Sequence, residues 1–166
     1  MIETSRLTLQ PFTLEDLDDL ANLHSDPEVN HYLFPTGAWP REITKDKLKR
    51  FITHQQVHGY SKMKVLLKDG AFIGRAGFLL WPETNETELG YCFKREYWSK
   101  GYVTEVSQAL VKWIFETTNL NHVIAFAAEE NIASRKVLEK VGMTFTDVRL
   151  IKDIPFAFYE LARVDS

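Results

Sequence analysis

The segment ELGYCFKREYWSKGYVTE, Glu88 to Glu105, gathers the residue types that a phosphate-bearing ligand requires. It reads as a strand, a short charged turn, and then Gly101 at the mouth of an amphipathic helix. The first N–H groups of a helix have no intrahelical partner, and the helix dipole favours negative charge there. A glycine at that point lets a phosphate approach the backbone closely. A lone glycine before a helix is also an ordinary helix start, so the signal gains weight only in combination. A second pattern, HQQVH, sets His54 and His58 four apart, the spacing of a zinc-binding pair. Gln55 stands where a catalytic glutamate would be and no third ligand is evident, so no metal is expected and both are read as helix-surface histidines. Cys92 lies in an apolar strand and is expected to pack, not to react.

The elements that must hold these residues follow from period and punctuation. Leu7 and Leu9 alternate in a first strand over residues 5–11, ended by Pro11. Thr13 with Asp16 resembles a capping box, and Leu14, Leu17, Leu20, Ala21 and Leu23 continue as a helical stripe. Asp26–Pro40 carries three prolines and a glycine and is read as a loop bearing Tyr32, Phe34 and Trp39. A second helix is expected from about Thr44 to His58. Strands Lys62–Leu67 and Ala71–Trp81 flank an Asp69-Gly70 turn, and Thr87–Phe93 follows a polar turn. A helix from Gly101 to about Thr117, a buried strand Val123–Ala128, and a helix Ile132–Val141 stopped by Gly142 come next. Met143–Ile151 and Pro155–Leu161 close the chain as strands. The order β-α-α-β-β-β-α-β-α-β-β predicts an α/β (α+β) fold. Its central sheet has about seven strands, mostly antiparallel, with one parallel pair and helices on both faces.

At 166 residues the chain is expected to form a single domain over 1–166. A net charge of −3 gives no basic excess for nucleic acid. One cysteine excludes an internal disulfide and suits a reducing compartment. No signal peptide and no spanning apolar run are visible, so a cytoplasmic protein without a membrane partner is expected, as monomer or homodimer.

Four stretches together resemble the GCN5-related N-acetyltransferase (GNAT) family, in its ribosomal-protein-acetylating branch (RimJ/RimL-type). They are TSRLTLQPFTLEDLDDL, DPEVNHYL, ELGYCFKREYWSKGYVTE and NIASRKVLEKVGM, and they span nearly the whole chain. The resemblance implies acetyl-CoA as co-substrate, held in a V-shaped gap between the family's parallel fourth and fifth strands. It assigns the pyrophosphate to the loop Trp98, Ser99, Lys100, Gly101, Tyr102, Val103 and Thr104. It assigns the pantetheine arm to the strand edge at Tyr91, Cys92 and Phe93, with Asn131 and Ser134 near the arm. An amide-bearing arm can add to a sheet as an extra strand, which agrees with that placement. Ser99 and Val103 depart from the family pattern, and Val103 is expected to weaken or shift cofactor binding without abolishing it.

Within that resemblance Ser134 is the candidate general acid, because the family's hydroxyl lies near the cofactor sulfur and a thiol pKa is about 8.5. Glu88 is the candidate general base, with Glu86 and Glu105 as weaker substitutes. At pH 7 roughly a tenth of an α-amine is already neutral, against about 0.04% of a lysine, so a modest carboxylate or a water it holds could serve an N-terminal amine. Tyr32, Phe34, Trp39 and Trp81 are expected to line the acceptor side. The expected activity is transfer of an acetyl group to a primary amine by direct transfer in a ternary complex. The alternative is a non-catalytic acyl-CoA-binding or sensing module. A different phosphate ligand is disfavoured, since neither a P-loop nor a Gly-x-Gly-x-x-Gly motif is present.

Overall fold

The computed structural model describes residues 1–164, so the domain expected over 1–166 runs two residues past the described chain. The strands are β1 (Ile2–Glu3), β2 (Leu7–Pro11), β3 (Lys62–Leu67), β4 (Phe72–Trp81), β5 (Glu86–Phe93), β6 (His122–Ala128), β7 (Thr144–Ile151) and β8 (Ile154–Ala162). The helices are α1 (Leu17–Leu23), α2 (Arg41–His58), α3 (Tyr102–Thr117) and α4 (Ile132–Val141), with 3-10 turns at Leu14–Asp16 and Arg95–Tyr97. The strands form one eight-stranded sheet in the order β1-β2-β3-β4-β5-β6-β8-β7. The expected seven strands thus become eight. The added β1 pairs with β2 through Ile2↔Leu9 and Glu3↔Thr8, and it moves the parallel pair to β5 and β6.

Local chemistry explains the boundaries. The Asp16 carboxylate accepts the Thr13 N–H at 2.7 Å, the reciprocal half of the expected capping box. Gly142 ends α4 in the left-handed conformation at φ 101°, where a side chain would be strained. Helix α2 begins at Arg41, earlier than expected, directly after Pro40.

Helices cover both faces of the sheet. From α3 and α4, Val106, Leu110, Ile114 and Leu138 pack on Leu9, Val65, Phe78, Leu89 and Val123. From α1 and α2, Leu20, Leu23, Leu48 and Phe51 pack on Leu79 and Cys92. Each fully buried leucine or isoleucine stabilises the fold by about 1.5–3 kcal/mol relative to exposure. Among the described residues no helix is long and apolar enough to cross a membrane.

The site arises where the sheet opens. β5 pairs with β4 along its whole length, from Trp81↔Glu86 to Gly74↔Phe93. Its parallel pairing with β6 is confined to Glu88↔Ile124 and Leu89↔Ala125. Beyond Leu89 the two strands diverge, because β6 turns to pair with β8 along its length.

Candidate active site

The edge left by this divergence carries its own polarity. The Lys94 N–H donates to Ile73 O at 2.9 Å. In an antiparallel ladder such bonds alternate, so Gly90 and Cys92 turn their backbone toward β4. Tyr91 and Phe93 therefore present theirs to the gap, where the sequence places a pantetheine arm. Cys92 separates from that pair. Its side chain lies in the α1/α2 core, Sγ is 3.9 Å from Val29 O, and burial pushes the thiol up.

At the end of the gap the chain makes the 3-10 turn Arg95–Tyr97 and then the loop into α3. Ser99 at φ 60° and Gly101 at φ 82° are both left-handed, which folds the loop back on itself. The first helical bond runs from Glu105 N–H to Gly101 O at 3.0 Å. The N–H groups of Tyr102, Val103 and Thr104 precede that ladder and are suited to an anion. Trp98 is fixed by its indole N–H on Phe93 O at 2.9 Å, while Ser99 and Lys100 are exposed. The Val103 side chain packs against the core, so its bulk is directed away from the loop backbone.

A clamp absent from the sequence reading braces this loop. Arg6 binds Glu105 Oε1 at 2.7 Å through Nε and Lys100 O at 3.1 Å through Nη1. Its guanidinium lies 4.3 Å from the Tyr102 ring centroid. Thr4 donates to Glu105 Oε2 at 2.6 Å. Burial raises the Glu105 carboxyl, but the bonds from Thr4 and Arg6 outweigh it and hold the group below the usual range. Glu105 is therefore a brace, and Glu86 is likewise engaged, 2.6 Å from His122 Nε2.

Asn131 caps α4, its Oδ1 accepting the Ser134 N–H at 3.2 Å. That cap sets the first turn of α4 beside β5, where the Ser134 hydroxyl lies 2.6 Å from Tyr91 OH. Burial pushes the Tyr91 phenol up to about 12, so it remains a proton donor at neutral pH. Tyr91 can donate to Ser134 Oγ and leave the serine hydrogen for another acceptor.

Glu88 lies on the opposite face. Strand alternation turns it away from Tyr91, and its register partner Ile124 belongs to an aromatic cluster with Phe156 and Phe158. Tyr32, Phe34 and Trp81 pack on this same cluster. Phe34 sits 6.0 Å from Phe156, and Trp81 4.9 Å from Phe126, between ring centroids. Burial pushes the Glu88 carboxyl up, opposed first by Lys62 and then by Arg75.

Trp39 is not brought to this wall. It is 6% exposed and stacks on His24 at 4.1 Å. His24 anchors a buried network: Nδ1 bonds Asn30 Oδ1 at 2.7 Å, and Arg75 Nε donates to Nε2 at 3.0 Å. Asn30 also donates to His24 O and Gly37 O, both at 2.9 Å. The network holds the loop that presents Tyr32 and Phe34. His54 is corrected as well. Both ring nitrogens bond backbone, Nδ1 with Tyr60 O at 2.8 Å and Nε2 with the Leu80 N–H at 3.1 Å, so it is a structural residue joining α2 to β4.

A sheet opened at a parallel pair, with a helix start at the end of the opening, is suited to a coenzyme A-dependent acyltransferase. The model of the acetyltransferase (GNAT) domain matches residues 6–144, and the chain belongs to this family. It is similar to the uncharacterized N-acetyltransferase YnaD of Bacillus subtilis, 32% identical over 143 residues, 86% of this chain and 81% of the relative. Its fold matches a GNAT-family acetyltransferase from Bacillus anthracis with TM-score 0.84, 24% identity and 97% of each chain covered. It also matches the ribosomal-protein alpha-N-acetyltransferase RimL, solved with coenzyme A, with TM-score 0.81, 15% identity, and 96% and 95% coverage. The protein is an enzyme of the N-acetyltransferase class.

Proposed function

We propose that the single domain transfers an acetyl group from acetyl-CoA directly to a primary amine, with both bound together. The acceptor is the N-terminal amine of a protein or peptide, or a small amine. The observation that carries this reading is the gap that opens beyond Leu89, with Tyr91 and Ser134 on one face of β5 and Glu88, at the closed end of the gap and opposite Ile124 of the aromatic cluster, on the other.

The residues fit the co-substrate. The N–H groups of Tyr102, Val103 and Thr104 receive its pyrophosphate, and the backbone of Tyr91 and Phe93 pairs with its amide-bearing arm. When bound, acetyl-CoA supplies the acetyl group as a thioester. Glu88, directly or through a water, takes the proton from the acceptor ammonium, and the freed nitrogen lone pair forms the new C–N bond. Strand-edge backbone N–H groups near Tyr91 polarise the thioester carbonyl. Ser134 gives its hydroxyl proton to the departing thiolate as the C–S bond breaks, the Tyr91 O–H steadies the serine oxygen by its hydrogen bond, and solvent returns a proton to the serine while Glu88 passes the acceptor's proton to solvent. Tyr32, Phe34 and Trp81 line the acceptor approach. The motif DPEVNHYL resembles the ribosomal-protein branch, which makes an N-terminal amine the first acceptor to test.

The test is thiol release from acetyl-CoA against N-terminal peptides, polyamines, amino acids and aminoglycosides, beside Ser134→Ala and Glu88→Gln. Release specific to one amine class and reduced about 100-fold or more in both variants is expected. Unchanged release in Glu88→Gln would remove the base, and binding without release for every amine would favour a sensing module.

A further inference from the structure

Beside Glu88 the sheet carries a buried charge that the transfer above leaves unused. Lys62 on β3 stands opposite Gly77 on β4, and Gly77 stands opposite Gly90 on β5. Gly77, at φ 152°, lets the β3 backbone approach, since a Cβ there would overlap Ser61 O. The Lys62 side chain is 5% exposed, with Nζ donating to Gly77 O at 3.2 Å. It extends to Gly90, where a Cβ would overlap Nζ and sit 3.5 Å from Cε. That same point is 3.4 Å from Glu88 Oε1. The glycine pair therefore brings an ammonium to the flank of the carboxylate.

The neighbouring ionisable groups have other partners or lie toward solvent, and Arg75 and Arg50 add smaller pulls on Glu88 in the same direction as Lys62. Arg75 on β4 donates to His24 and lies over the Phe51 ring. Lys64 on β3 pairs with Asp16 at 2.9 Å. From α2, Arg50 is exposed and His54 is bonded at both nitrogens. Cys92 on β5 is a buried thiol, held protonated by its surroundings.

We propose that Lys62 is the positioning residue of the base: its ammonium, seated over the Gly77–Gly90 pair, keeps Glu88 a carboxylate in a water-poor site. This rests on Glu88 acting as the base. Burial alone favours the neutral acid, and Lys62 is the largest influence opposing it. Burial in turn lowers Lys62 to about 8, against the attraction of Glu88. Without the Lys62 ammonium, the folded Glu88 binds its proton at higher pH, and less base is available at neutrality.

The experiment follows the Glu88 carboxyl by NMR with isotope-labelled glutamate, its signal assigned by Glu88→Gln, beside the pH profile of kcat/KM. The proteins are wild type, Lys62→Met and Gly90→Ala. In Lys62→Met the Glu88 midpoint and the acid limb of the profile are expected to rise together by about 1–3 pH units. Gly90→Ala, whose methyl displaces the ammonium while keeping the lysine, is expected to shift both in the same direction. It carries the test if Lys62→Met does not fold. An unmoved Glu88 midpoint in a folded variant, or an activity loss uniform across pH, overturns the proposal. An acid limb that persists in Glu88→Gln, or stays fixed while the midpoint moves, overturns the base assignment and the proposal with it.

Discussion

Acidification should loosen the loop over the acceptor side, and His24 sets the pH at which this begins. The ring is completely buried, and burial with the nearby Arg75 guanidinium lowers its pKa to about 3. At pH 7 it is neutral in the folded chain and mostly neutral in the unfolded one. Below about 6.5 the unfolded chain takes up a proton that the folded chain refuses. Stability then falls by about 1.4 kcal/mol per pH unit, about 2 kcal/mol by pH 5, until the folded ring itself titrates. The contribution is thus full above the unfolded pKa and is lost toward the folded one. Urea unfolding at pH 7 and pH 5 of wild type and His24→Gln isolates this effect, because other groups titrate equally in both proteins. The variant should be less stable at pH 7 but lose about 2 kcal/mol less on acidification. Equal losses in the two proteins would refute the account of a proton-refusing histidine at the base of the loop.

Other outcomes follow from the same geometry. Arg6→Met should raise the acetyl-CoA Kd about fivefold to tenfold in calorimetry, equivalent to roughly 1–1.4 kcal/mol, with acceptor KM little changed. Gly101→Ala places a side chain at φ 82°, with its Cβ 3.3 Å from Arg6 Nη2, and should lower both the melting temperature and acetyl-CoA affinity. Tyr91→Phe should reduce kcat about tenfold, less than Ser134→Ala, because water can replace the lost donor; an equal loss would make Tyr91 itself the acid. Trp39→Ala should cost roughly 3–5 kcal/mol in denaturant unfolding, since the ring fills the space over His24.

The sequence disclosed what depends on local pattern. Alternation and turn chemistry located the long strands to within a residue or two, and Asn131, Gly101 and Gly142 stand at the helix ends where their chemistry put them. Strand β1 was not legible, because two residues have no period. The start of α2 was missed because Arg41 and Glu42 carry no apolar signal. Trp39 looked like a wall residue because loop aromatics resemble one another until a partner is known, and its partner, His24, is a packing contact. The Arg6–Glu105 clamp joins residues 99 apart in the chain, and the Lys62 seat depends on two glycines meeting across strands. Such pairings come from register, which a single sequence discloses only after the sheet order is known.

The division of the gap between two faces of one sheet bears on how this enzyme can change. Residues that would hold the donor are in the loop into α3, the edge of β5 and the start of α4. Those that would meet the acceptor are in the Asp26–Pro40 loop and the rings of β4, β6 and β8. A single layer of backbone separates the two groups. Substitutions can accumulate on the acceptor face without disturbing the donor's contacts, so new specificities can be sampled as long as Glu88 and its surroundings are kept. An inhibitor that joins both substrates would have to thread the sheet, and its linker would be confined to the opening beyond Leu89.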